Sequence, residues 1–525
     1  MTSQAIQSIV IVGGGTAGWL TAGVLASRFK SLAENNGAVG IDVTLVESPD
    51  VQTIGVGEGT WPSMRTTLQS MGINETDFMR ECNVSLKQGS RFDNWVTGES
   101  DYYYHPFSLP RGYGEFNLAP YWQLARDKIS FADAVSIQSK LCDRGLAPKT
   151  IATPEFAFNA NYGYHLDAAK FAAFLQQHCV EKLGVKHVLD HVTAVTAKDN
   201  GDIEAVQTRD SGAIGGDLFV DCTGFAALLI GDHYAVPFNT VQSVLFNDSA
   251  LAVQVPYKDE QDPIASHTLS TAQSAGWVWS IGLPTRRGVG HVYSSAYIDD
   301  ENAERELRNY LTPIVGRPEA EQLAVRKINM NPGYREHFWH RNCVAVGLSA
   351  GFVEPLEASA LVLVEYSAKM IAQQLPANRA VMDLVAKRFN DKFAYHWNQI
   401  IDFLKLHYVL NQREDNGYWA ANRNPDSVPD SLKEMLELWQ FQSPWLQEAP
   451  RFDELFSSAS FQFVLYGMGF VTQENPAGLR AEDETLAIAN RLFSDNAKKT
   501  EQLLGALPTN RELVSKVAEH GFQKI

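Results

Sequence analysis

Three glycines near the start of the chain have the spacing that holds a phosphate. In QSIVIVGGGTAGWLTAGVLASRF, Gly13, Gly15 and Gly18 give G-x-G-x-x-G between a short β-branched strand and an amphipathic helix. Gly13 permits the tight turn, Gly15 lets backbone approach a pyrophosphate, and Gly18 lets helix pack on strand. Thr16 and Ala17 then open the helix, whose unpaired N–H groups face the phosphates. A second strand, IDVTLVES, ends at Glu47, an acid able to accept ribose hydroxyls. It lies farther along than the usual twenty or so residues, because SLAENNGAVG reads as an inserted loop. A second constellation is aromatic. In WVWSIGLP, Trp277 and Trp279 share one face of a strand, where side chains alternate. Taken alone, that pair is the core face of a sheet.

The elements around these residues read as pieces of one α/β fold. GYHLDAAKFAAFLQQHCVEKLGVKHV is a strand end, a helix and another strand that closes on Val188. HVTAVTAKDNGDIEAVQT follows as a meander turning at Asn200-Gly201. DLFVDCTGF is a buried strand, and NCVAVGLSAGFVEPLEASALVLVEYSAKMIAQQL is a strand, a glycine turn at Gly347 and a long helix. Discontinuous pieces around one sheet suit FAD better than NAD, and no second G-x-G-x-x-G offers a separate NAD(P)H site.

The chain has 525 residues and a formal net charge of −17. That balance disfavours nucleic acid or an anionic membrane as partner. Five dispersed cysteines without a Cys-x-x-Cys pair point to a reducing compartment and away from a zinc site. No metal ligands are expected. MTSQAIQSIVIVGGG lacks a basic n-region and reads as a strand rather than a signal peptide. A cytoplasmic protein is the expectation.

Several motifs in one order resemble those of the flavin-dependent halogenases of the tryptophan-halogenase type, over nearly the whole chain. Gly13 to Trp19 resembles that family's FAD fingerprint, and GVGEGTWP, which contains Gly57, resembles its second flavin-contacting loop. Lys87 in LKQGSRFDNW stands where the family has its catalytic lysine, and Glu357 in GFVEPLEAS where it has its catalytic glutamate. His105 and Phe107 in YHPF match residues at its substrate pocket, and LHYVLNQRED with Tyr418 and Trp419 is similar to its C-terminal helical portion. The family's W-x-W-x-I-P appears as W-V-W-S-I with the proline displaced by two, to Pro284.

The resemblance implies an FAD-binding, Rossmann-like α/β flavoprotein of the GR2, monooxygenase-like kind. A discontinuous FAD and halogenase module would span 1–385, with a substrate-side sheet around 236–335 and a mainly helical substrate-side region at 386–525. Gly13, Gly15, Thr16, Ala17, Gly18, Glu47, Gly57, Val188 and Gly347 would hold FAD. The implied reaction uses reduced FAD, dioxygen and chloride or bromide to make hypohalous acid, which halogenates an electron-rich, indole-like ring. Lys87 would meet the hypohalous acid and Glu357 would take the ring proton or polarise the oxidant. The backbone of Ser359 and Ala360 would bind halide, with alanine where the family often has glycine. His105 and Phe107 would line the substrate pocket, and Trp277 and Trp279 would screen substrate from flavin. A separate flavin reductase would be a transient partner, and a homodimer stays open. The C-terminal third shows no match to the grip that tryptophan-specific members place on the amino acid, which favours an indole-like ring over free tryptophan alone. Two other readings stay open: a single-component FAD aromatic hydroxylase, and a non-catalytic FAD-binding protein.

Overall fold

The computed structural model describes residues 5–36, 40–51, 57–415, 417–448, 454–473 and 483–523. The chain divides into two compact units, one built from Met1–Asn83, Leu166–Thr240 and Asn331–Trp397, the other from Val84–His165, Val241–Met330 and Asn398–Ile525. Among the described residues no helix is long and apolar enough to cross a membrane.

The first unit is organised by a six-stranded sheet. Its strands follow the order Trp339–His340, Cys343–Ala345, Leu218–Asp221, Ser8–Val12, Asp42–Glu47 and Lys186–Leu189. Every pairing is parallel except that of the first two strands. Ser8–Val12 lies in the middle as SIVIV with four of its five residues buried, the continuous β-branched run that a strand covered on both faces requires. Helix Thr16–Asn36 packs against Ala168–Leu183 and Ser359–Gln373. Contact is close at Gly23, where a Cβ would lie 2.2 Å from the Met71 methyl. The meander Val192–Ala197, Ile203–Thr208 and Ala213–Gly215 is antiparallel and turns at Gly201, whose φ is +82°.

One expectation is corrected here. SLAENNGAVG does not begin as a loop: the helix continues through Asn36, 21 residues in all. Ser31 to Glu34 present no breaker, and Lys30 is tied by its Nζ to the carbonyl of Lys182. The remaining positions 37–39 lie outside the described residues.

The second unit is organised by a seven-stranded sheet. Its order is Val325–Asn329, Ser249–Pro256, Arg286–Tyr293, Gly276–Gly282, Thr268–Gln273, Gly89–Asp93 and Tyr102–Pro106. It is wider than the 236–335 stretch, because its last two strands come from LKQGSRFDNW and YHPF. Only the join between Thr268–Gln273 and Gly89–Asp93 is parallel. Leu251, Val253, Val278 and Val289 bury one face of this sheet against Leu307 and Leu311 of helix Asp300–Val315. From residue 398 onward the described residues of this unit contain helices and turns but no strand. All five cysteines are buried free thiols.

Candidate active site

The glycine turn is built by close approach at two positions and by space at a third. Gly13 has φ +112°, and a Cβ there would lie 2.2 Å from the Cys222 carbonyl oxygen. At Gly18 a Cβ would lie 1.9 Å from the Gly13 carbonyl oxygen, so the helix meets the strand only because both residues lack side chains. At Gly15 a Cβ would meet nothing within 4 Å. The helix starts there, with Trp19 N–H donating to the Gly15 carbonyl at 3.1 Å. Open space over backbone at a helix N-terminus is what a pyrophosphate needs, so these residues fit a dinucleotide flavin.

The neighbouring residues extend that cradle. Glu47 packs against Gly14, where a Cβ would come within 2.1 Å of its carboxyl carbon. Its Oε2 lies 3.0 Å from His187 Nε2. Burial raises the Glu47 carboxyl above the usual range, and His187 and the hydrogen bond from Trp19 pull it back. Val188 stands beside Val46 in register. Gly347, at φ +77°, comes close enough to the helix start that a Cβ would be 2.8 Å from Ala17 Cβ. Thr16 reaches the Ala168 carbonyl only at 3.5 Å. Gly57 is buried at the start of strand Gly57–Gly59, whereas Gly55 and Val56 of the same motif lie outside the described residues.

A second anion cradle lies on the same unit. Glu357 (φ 65°, ψ 4°) and Ala358 (φ 54°, ψ 46°) are consecutive left-handed residues, each of a type that pays roughly 1–3 kcal/mol for that conformation. Ser359 then returns to φ −77° and ψ −15° and opens the 15-residue helix Ser359–Gln373. Left-handed followed by right-handed backbone makes successive N–H groups converge into a concave nest. A helix N-terminus adds its dipole. The kink is braced: Trp61 Nε1 donates to the Glu357 carbonyl at 2.8 Å, and Ala358 N–H to Pro355 at 3.0 Å. Glu357 and Ser359 are buried and Ala360 is exposed.

On the second unit, Lys87 is one of the largest fully buried side chains, only 1% exposed. Its three-residue strand Ser85–Lys87 pairs antiparallel with Gly163–Asp167, placing Lys87 opposite Gly163. So short a strand is held by its flanks. Ser85 Oγ donates to Gly282 at 2.5 Å, Gln88 N–H to Ser266 at 2.7 Å, and Asn510 Nδ2 to Leu86 at 3.0 Å. Phe107 N–H donates to the Gln88 carbonyl at 2.9 Å, which brings its ring centroid to 5.3 Å from Lys87 Nζ. His105, opposite Ser90, stands beside the rings of Phe403 and Phe463 at 5.5 and 6.2 Å.

Trp277 and Trp279 lie on the sheet face opposite Val278, away from helix Asp300–Val315. Trp277 abuts Trp95 at 6.3 Å, which in turn meets Trp419 at 5.6 Å and Tyr408 at 5.1 Å. The Trp279 ring fills the space over Gly290, where a Cβ would be 2.1 Å away. The displaced proline has a structural reason. The strand ends at Gly282, and Leu283 N–H donates to Arg286 at 2.9 Å, so Pro284 sits inside the hairpin turn where no ladder N–H is needed.

The structure therefore groups Gly13, Gly15, Thr16, Ala17, Gly18, Glu47, Val188 and Gly347 around one turn, and Glu357, Ser359 and Ala360 around one kink. It brings Lys87 together with Phe107, and Trp277 together with Trp279. Sequence reading missed Trp95, Asn510 and His165. No local signal marks the first two, and His165 was passed over as the end of a strand.

A family model described as tryptophan halogenase matches residues 8–484. Tryptophan 6-halogenase SttH of Streptomyces toxytricini is 34% identical over 533 residues, covering 98% of each chain. A solved tryptophan halogenase from Shewanella frigidimarina has 52% identity and a TM-score of 0.95, covering 99% of both chains. BrvH, a flavin-dependent halogenase from Brevundimonas sp. BAL3, has 31% identity and a TM-score of 0.84, covering 97% of this chain and 99% of its own.

Proposed function

The chain belongs to the tryptophan halogenase family, and we propose that Lys87 and Glu357 are the residues through which this flavin-dependent halogenase acts on an indole-like aromatic ring. The observation that carries the reading is the burial of Lys87. An ammonium is costly to bury, and Lys87, 1% exposed and near the Phe107 ring, stands where the family has its catalytic lysine, whereas the equally buried Lys149 and Lys405 tie down the carbonyls of Pro154 and Val244.

Bound reduced FAD would activate dioxygen, the oxidant that turns halide into hypohalous acid while the flavin is itself oxidised. The turn at Gly13, Gly15 and Gly18 would hold its pyrophosphate, with Glu47 at the ribose. The backbone N–H groups of Ser359 and Ala360, at the start of the helix that follows the kink, would hold chloride or bromide. Lys87 would meet hypohalous acid either as a hydrogen-bond donor or as a neutral amine that becomes an N-halo amine with loss of water. Glu357 would accept the proton released when the ring regains aromaticity. His105 and Phe107 would hold the ring, and Trp277 and Trp279 would form a stiff aromatic wall that excludes water.

A separate reductase delivering reduced FAD by diffusion fits a chain with one glycine fingerprint. Five buried free thiols fit a reducing, cytoplasmic setting. The decisive measurement is mass spectrometry of an indole panel incubated with enzyme, reductase, FAD, NADH and either bromide or chloride. Lys87→Ala is expected to abolish halogenated product while FAD binding persists; product formation by that variant would remove Lys87 from the mechanism. Flavin bleaching by NADPH alone, without reductase, would instead support a hydroxylase.

A further inference from the structure

We propose that His165 positions the amine of Lys87, its Nδ1 accepting a hydrogen bond from Nζ through one buried water. The proposal rests on the reading of Lys87 as the group that handles hypohalous acid. The pairing of Ser85 with His165, Leu86 with Tyr164 and Lys87 with Gly163 puts Ser85, His165, Lys87 and Gly163 on one face of the ribbon. His165 is thus the diagonal cross-strand neighbour of Lys87, at a separation that long side chains span. Gly163, directly opposite Lys87, contributes no side chain.

His165 is completely buried, and its two nitrogens are in different situations. Nε2 lies 2.8 Å from Thr268 Oγ1. Nδ1 is buried and has no hydrogen-bonding partner among the described residues. A buried lone pair is rarely left unpaired, and ordered water is the usual remedy where a second polar group is in reach.

The groups that face His165 keep it uncharged. Burial is the largest cause, and the charge of Lys87 on the adjoining strand and His267 next to Thr268 add to it; together they hold its imidazole well below the ordinary range. His267 is itself pushed down to about 3 by burial and by Arg91. Its ring meets the edge of Tyr104 at 5.5 Å. Arg91 is engaged by Asp93 at 2.7 Å. An imidazole held toward its neutral form is an acceptor that would direct the Lys87 N–H groups, whereas a carboxylate in the same place would hold the amine as an ammonium.

Asparagine places its amide group near the position of Nδ1, and glutamine near that of Nε2. Product turnover by H165Q, which keeps the Thr268 link and loses the Nδ1 site, is expected to fall about tenfold in kcat with KM for the ring unchanged. Hypohalous acid trapped outside the enzyme by a diketone probe should rise as product falls. H165N should recover most of that loss. Where H165Q fails to retain FAD and a cooperative melt, Thr268→Val supplies the test. It removes the Nε2 partner and leaves Nδ1, so kcat should stay near the wild-type value. Equal activity of H165Q and wild type, a better H165Q than H165N, or a T268V defect as large as that of H165Q would overturn the proposal. Lys87→Ala separates the two readings. An active Lys87→Ala defeats the Lys87 assignment, whereas an inactive one beside a fully active H165Q defeats only the role of His165.

Discussion

Gly15 and Gly18 belong to one motif yet tolerate opposite things. A Cβ at Gly18 would overlap the Gly13 carbonyl at 1.9 Å, whereas at Gly15 it would meet nothing within 4 Å. Gly15→Val is therefore expected to fold with an unchanged melting profile and to lose FAD, because the valine occupies the space reserved for the pyrophosphate. Equilibrium titration with FAD checks this, and normal affinity would remove the pyrophosphate from that position. Legibility follows the same division. The glycine roles were readable because G-x-G-x-x-G between strand and helix has a single geometric meaning. Lys87 and Glu357 were singled out only through resemblance, since an isolated lysine or glutamate carries no local signal, and their roles await the variants proposed above. The left-handed pair at Glu357 and Ala358 was not readable, because neither residue type announces positive φ. His165 was hidden in a different way: its meaning lies in the residue across the ribbon.

At the scale of elements, the hairpin that carries the paired tryptophans decides between a screen and a core. Strand Gly276–Gly282 presents Val278 to helix Asp300–Val315 and both indoles to the opposite face. Trp277 is joined to the ring chain of Trp95, Trp419 and Tyr408, a packing role in its own right. Replacing Trp277 and Trp279 together by phenylalanine keeps both positions aromatic. If they act as a screen, the variant should still consume dioxygen with reductase present, and the ratio of halogenated product to dioxygen consumed should drop. Loss of a cooperative melt would return the pair to plain core. The parallel strands and the meander turn at Asn200-Gly201 were legible from periodicity and turn chemistry. The end of helix Thr16–Asn36 was not, because Asn35, Asn36 and Gly37 resemble a loop while Ser31 to Glu34 offer nothing that breaks a helix. Ser85–Lys87 was too short to show any period at all.

For the whole molecule, the open quantity is the ring that it halogenates. The described C-terminal helices present aromatic neighbours to His105, namely Phe403 and Phe463. Rings stack on rings without reading a distant substituent, whereas a buried amino-acid backbone requires dedicated charged partners. Indole is accordingly expected to be halogenated at least as efficiently as free tryptophan, judged by kcat/KM. A strong preference for tryptophan with saturable binding would show that residues unlike the familiar grip supply it. The α/β class was legible from the order of strands and helices, and the second sheet came only with the resemblance. The membership of Gly89–Asp93 and Tyr102–Pro106 in the larger sheet was not, because a parallel join between distant segments leaves no trace in local sequence.

The five thiols take on another meaning beside this chemistry. Hypohalous acid attacks thiolates faster than most groups in a protein, so an enzyme acting by the proposed route would work in the presence of its own poison. Cys82, Cys142, Cys179, Cys222 and Cys343 are all buried. Burial holds each thiol in its protonated, sluggish form, with Cys142 and Cys179 pushed up to about 12. Oxidant that strays from its path meets no cysteine sulfur at the surface, and the catalyst's working lifetime is set by how seldom those interior sulfurs are exposed.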